Sequence, residues 1–116
     1  MLTIRKEQMD ALSSVMRERY VAKTVLHLRK LFPEETKKMP DTELRPLIEE
    51  GLNRARGYQV TSGREVTLFI DLMVGIGKNF ETQPANAWIK GFLEDPELDQ
   101  SEKMNLICKR LQAMNR

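Results

Sequence analysis

Cysteine, histidine and tryptophan occur once each in this chain, as Cys108, His27 and Trp88. A lone cysteine excludes a disulfide within the chain and agrees with a reducing compartment, so a cytoplasmic location is expected. One cysteine and one histidine leave too few ligands for a structural zinc site of the usual kind, and no metal or cofactor is expected. Long apolar runs are also missing. The longest fall far short of the about 20 residues a membrane span needs. The N-terminus is already charged at Arg5 and Lys6, which is unlike a secretory leader. Nor does one sign of charge dominate: 19 basic residues stand against 17 acidic ones, a net +2. That balance gives no reason to invoke nucleic acid or a lipid surface. Internal repeats, low-complexity tracts and strand-like alternation are absent as well.

What remains is helical periodicity over a length of 116 residues, which fits a single domain, 1–116. A chain of this size buries about two thirds of its unfolded surface, enough for one core. Apolar residues recur at helical steps through 4–32, where Thr3 is placed to cap. Ile4, Met9, Leu12, Met16 and Tyr20 form one stripe; Val21, Val25, Leu28 and Phe32 continue it with a one-residue displacement. The pattern allows one long, kinked helix or two helices joined around Tyr20–Lys23. Pro33 stops it, because the residue before a proline is biased away from helical geometry.

A polar linker follows over 33–40, with at most one helical turn. Asp41 or Thr42 is expected to cap a helix over 42–56, with Pro46 in or near its first turn and Leu44, Leu47, Ile48, Leu52 and Ala55 inward. Gly57 is the expected left-handed stop. Ser62-Gly63-Arg64-Glu65 matches a capping box and opens the most apolar segment, Val66 to Phe80, the expected central helix. Gly77 or Asn79 would end it. A further helix is expected over 84–93 with Ala87, Trp88, Phe92 and Leu93 inward. A last helix, capped by Asp99 or Ser101 and running to about 114, would carry Leu98, Met104, Ile107, Leu111 and Met114. The fold class is all-α: a compact bundle of five or six helices with a long first helix.

Chemical motifs are sparse. Gly75-Ile76-Gly77-Lys78 lacks the spacer, the following Ser/Thr and the preceding strand of a phosphate loop, and reads as a helix end and a close helix crossing. Asp71 is the charge within the apolar helix. It shares a stripe with Arg64, Thr67, Gly75 and Lys78, so it reads as exposed or paired with a neighbouring helix. His27 lies among Lys23, Arg29 and Lys30 with no local carboxylate to orient it, so it reads as a solvated residue. Cys108, beside Ile107, reads as inert packing. No nucleophile, base and orienter set emerges, and a non-enzymatic role with no small-molecule substrate is expected.

Two charged regions suggest docking instead. The first thirty residues hold seven basic and three acidic residues, with Arg17, Arg19, Lys23, Arg29 and Lys30 in the second half. This is a solvated face or a dock for an acidic partner. Residues 94–102 carry Glu94, Asp95, Glu97, Asp99 and Glu102 without a basic residue, a solvated loop or an edge for a basic partner. Met9 and Met16 sit on the first helix's apolar stripe, where flexible thioethers suit either a core or an adaptable binding surface.

Ile4-Arg5-Lys6-Glu7-Gln8-Met9, Leu28-Arg29-Lys30-Leu31-Phe32-Pro33 and the run from Ile48 to Tyr58, together with Glu65-Val66, Asp71-Leu72-Met73 and Gly77-Lys78-Asn79-Phe80-Glu81-Thr82, carry a resemblance. The chain resembles, up to Asp95-Pro96, small bacterial proteins encoded beside type VI secretion spike and effector genes. The resemblance implies an effector chaperone or loading adaptor, or alternatively an immunity protein blocking a cognate toxin. Each acts by binding another protein, and no active-site residue carries over. A DNA-binding regulator ranks below both. Arg54, Tyr58, Asp71 and Phe80 match at positions that either brace helix junctions or line a binding surface. The expected partner-binding set is Met9, Met16, Arg17, Tyr20, Lys23, Arg54, Tyr58 and Phe80, with self-association left open.

Overall fold

The computed structural model describes residues 14–114, and within them the secondary structure is entirely helical. Helix α1 spans Ser14–Leu31, the single turn α2 Pro33–Thr36, α3 Asp41–Gly57, α4 Gly63–Gly75, α5 Ala87–Leu93 and α6 Gln100–Met114. Two 3-10 turns, Phe80–Thr82 and Pro84–Asn86, connect α4 to α5. None of the described helices is long and apolar enough to cross a membrane. Thr3, Ile4, Met9 and Leu12 lie outside the described residues.

Helix α1 runs unbroken through Tyr20–Lys23 and buries Val21, Thr24, Val25 and Leu28. Where the apolar stripe shifts, Thr24 occupies a core-facing position. Its hydroxyl donates to the Tyr20 carbonyl at 2.7 Å, so the core receives a satisfied polar group. Pro33 stands at the first position of α2, where a missing N–H costs nothing. Arg29 then ties down the linker: its guanidinium donates to the carbonyls of Thr36 (3.0 Å) and Met39 (2.8 Å) and to Asp41 Oδ1 (2.6 Å).

That bond corrects the expected cap of α3. Asp41 is engaged by Arg29, and the residue flanking the helix is Pro40, whose extended backbone turns its carbonyl toward the N–H groups of Glu43 and Leu44, both at 2.9 Å. Starting at Asp41 puts Pro46 inside the helix rather than in its first turn, at the expense of one ladder bond. The core face of α3 is Leu44, Ile48, Gly51, Leu52 and Ala55, while Leu47 is only half-buried. Gly51 is the contact point with α4. A Cβ there would lie 2.6 Å from Ile70 Cγ1 and 3.0 Å from Met73 Sδ, so only glycine lets the two helices approach this closely.

The left-handed residue after α3 is Gln59, at φ 66°, and not Gly57. The Gln59 N–H bonds the Arg56 carbonyl and the Val60 N–H the Ala55 carbonyl, both at 2.9 Å, while Val60 is buried. This Schellman closure sets the backbone of Gln59 whatever its side chain prefers.

Ser62 caps α4, its hydroxyl oxygen facing the Glu65 N–H at 3.5 Å. Glu65 does not reach back to the Ser62 N–H. It accepts from the Ser62 hydroxyl and from Arg64. Gln100 Oε1, at the start of α6, accepts the Thr61 and Ser62 N–H groups instead, at 2.8 and 2.7 Å. Helix α4 buries Val66, Phe69, Ile70 and Met73 and ends at Gly75, two residues short of Gly77. Gly75 faces the Phe32 ring, where a Cβ would come within 3.1 Å of Cε1.

The 3-10 turn at Pro84–Asn86 delays α5 to Ala87 and shifts its phase. Ile89 and Leu93 enter the core, Trp88 and Phe92 are half-buried, and Ala87 is exposed. Asp99, rather than Ser101, caps α6 through a reciprocal box: Glu102 N–H to Asp99 Oδ1 at 2.8 Å and Asp99 N–H to Glu102 Oε1 at 3.0 Å. Met104 and Ile107 are buried, Leu111 packs at the core's edge, and Met114 is exposed. The assembly measures 38 × 36 × 21 Å, about two helix layers thick.

Candidate functional site

Half of the cations expected to meet a partner, Arg17, Arg29 and Arg54, turn inward. Arg17 Nε donates to Glu49 Oε1 at 2.7 Å, tying α1 to α3. Arg54 grips Glu81 through Nε and Nη2, donates to Glu50 at 3.2 Å and to the Lys78 carbonyl at 2.6 Å, and lies 5.7 Å from the Phe69 ring centre. The Tyr58 hydroxyl donates to Glu81 at 3.3 Å. Phe80 is 0% exposed and meets Phe69 edge-on at 5.1 Å. Of the expected partner-binding set, Arg17, Arg54, Tyr58 and Phe80 are thus held by contacts within the fold. Phe80 presents no surface, and the other three brace the fold through intramolecular partners. Lys103 does likewise, buried with its ammonium 2.8 Å from the Tyr58 carbonyl, a role its sequence position on α6 did not signal. Among the described residues, no buried side-chain nitrogen or oxygen lacks a hydrogen-bond partner.

Two expected residues, Tyr20 and Lys23, line a groove of about 490 Å³ between α1 and α4, and Lys23 is exposed. The Tyr20–Thr67, His27–Asp71 and Phe32–Gly75 contacts show that the two helices run in the same direction. Thr67 gives its hydroxyl proton to the Gly63 carbonyl at 2.8 Å, so Tyr20 must donate in the 2.7 Å bond between the two hydroxyls. Burial raises the Tyr20 pKa above its ordinary value, and the phenol keeps the proton that this bond needs.

His27 is exposed, in line with the sequence reading, but it is not alone. A carboxylate does orient it: Asp71 Oδ1 lies 2.8 Å from His27 Nε2, although the residues are 44 positions apart. The His27 side chain is 40% exposed and that of Asp71 14%. Burial raises the Asp71 pKa, while the bond and charge of His27 pull the other way. Cys108 is half-buried, and desolvation followed by the Asp71 charge raises its thiol pKa, so it stays protonated near neutrality.

Met16 is half-buried on α1, and Met9 lies outside the described residues. Beside the groove, the outward face of α1 carries Leu26, 70% exposed, and Val15, 62% exposed. Arg19, Lys23 and Lys30 share that face, and all three are exposed. Sequence periodicity around Tyr20 gave no warning of Val15 and Leu26, since both fall between positions of the core stripe. No group of three or more His, Cys, Asp or Glu residues able to hold a metal ion occurs among the described residues. No family model, curated protein or solved structure matches the chain.

Proposed function

We propose that this chain is a non-enzymatic, protein-binding accessory factor whose contact surface is the outward face of α1. The observation that carries this reading is the exposure of Leu26 and Val15 among Arg19, Lys23 and Lys30. Large apolar side chains on a helix face cost nothing when covered by a partner, and flanking cations speed and orient the encounter. Within type VI secretion, the setting that the sequence resemblance implies, the role is that of a cytoplasmic effector chaperone or loading adaptor. Under the immunity alternative, the acidic 94–102 segment is the edge that would suit a basic toxin. There Asp95 accepts the Glu97 N–H, Asp99 the Glu102 N–H and Glu102 the Asp99 N–H, so three of its five acids bond local backbone.

The test is co-expression with a type VI effector, taken from the neighbouring genes that the resemblance implies. Co-purification and raised effector solubility are expected, and both should fail with Leu26→Asp while the variant keeps its own melting temperature. Unchanged effector solubility with no co-purification would overturn the reading.

A further inference from the structure

We infer that the groove between α1 and α4 receives an acidic amphipathic helix of the partner protein, an inference that rests on the protein-binding reading above. Three features of the groove carry it. First, its walls are two helices running in the same direction, a trough into which the side-chain ridge of a third helix can pack. Second, the lining includes Leu68 and the body of Tyr20, both incompletely buried. They offer an apolar strip for one or two anchoring side chains.

Third, the charge presented outward is positive on both walls. Lys23 stands on the α1 wall, exposed. Arg64 stands on the α4 wall; it contacts Glu65 and Asn105 yet is 59% exposed, with the Glu65 carboxylate buried behind it. The acid in the lining, Asp71, is committed to His27. Arg19 and Lys30 extend the same sign along the neighbouring face of α1. A helix with carboxylates on both flanks of an apolar stripe complements this arrangement, and a basic helix is repelled by it.

The probe is a synthetic amphipathic helical peptide with a leucine stripe flanked by glutamates, against a control with lysines in their place. Binding is followed by titration calorimetry and by amide shift changes at Tyr20, Lys23, Arg64 and Leu68. Saturable binding of the glutamate peptide, weakened about tenfold by Lys23→Glu and weakened by added salt, is the expected result. Arg64→Gln provides a second variant that keeps the side chain polar, and melting curves of both variants confirm folding. Equal binding of the lysine peptide, or none of either, overturns the inference. So does a concentration-dependent doubling of mass with shifts at the same residues, which would make a second copy the occupant. Displacement of the glutamate peptide by duplex DNA overturns it too. If the peptide fails while the effector still co-purifies, only the groove assignment falls; if both fail, the protein-binding reading falls with it.

Discussion

Two carboxylates on α4 respond to pH with opposite signs, because burial acts on both but their partners differ. Burial alone would raise Glu65, but the hydrogen bonds from Ser62 and Arg64, with the Arg64 charge, outweigh it and hold the group below its ordinary 4.5. Its contribution to stability is full above 4.5 and is lost as pH falls through the lowered folded value. Asp71 is raised above its ordinary 3.8, chiefly by desolvation. Its contribution is full below 3.8 and is lost as pH rises through the raised folded value. Melting temperatures between about pH 3 and pH 7 should therefore diverge. Asp71→Asn, which still accepts from His27, should gain on the parent as pH rises. Glu65→Gln should lose on it over the same range. The Arg54–Glu81 pair makes a separate prediction. The two side chains are 20% and 3% exposed, so removing the cation leaves a buried carboxylate whose remaining donor, among the described residues, is the Tyr58 hydroxyl. Arg54→Ala should cost about 2–4 kcal/mol in urea unfolding.

At the level of helices, the ends and crossings are where single residues count most. Gln59 holds φ 66° because the Schellman bonds after α3 require it. Left-handed geometry strains any residue with a Cβ. Gln59→Gly should therefore stabilise by about 0.5–1 kcal/mol, read as a higher melting temperature. Gly51 is the reverse case. Alanine is the better helix former by about 1 kcal/mol. Its Cβ, however, would stand 2.6 Å from Ile70 Cγ1 at the α3–α4 crossing. Gly51→Ala should destabilise by about 1–3 kcal/mol through overpacking, a sign that thermal unfolding decides. The local closure of α3 at Gln59 left no mark that singled it out from Gly57, but helix starts were legible where the cap is made by neighbours in sequence, as at Ser62 and at Asp99 with Glu102. They were misplaced where a distant group intervened, as when Arg29 occupies Asp41 and leaves the Pro40 carbonyl to open α3.

For the whole molecule, the balance of charge hides a division of labour. Arg17, Arg29, Arg54 and Lys103 hold elements together, whereas Arg19, Lys23 and Lys30 face outward on α1. Reversing an outward cation should leave folding nearly untouched, within about 0.5 kcal/mol. Arg19→Glu with Lys30→Glu should thus keep the parent's unfolding midpoint. The double variant should also associate more slowly with a partner held by α1, with a weaker dependence on salt, as stopped-flow association rates would show.

The sequence by itself determined an all-helical fold, the approximate place of each described helix and the serine cap of α4, with Asp99 as one of two candidates at α6. These follow from periodicity and from bonds that span three or four residues. Tertiary structure decided which polar side chains are available. His27 finds Asp71 across 44 positions, Arg54 finds Glu81 across 27 and Lys103 finds the Tyr58 carbonyl across 45. Such pairings depend on where helices cross, and crossing is set by the fit of side-chain ridges and by a glycine such as Gly51, neither of which leaves a periodic mark in the chain.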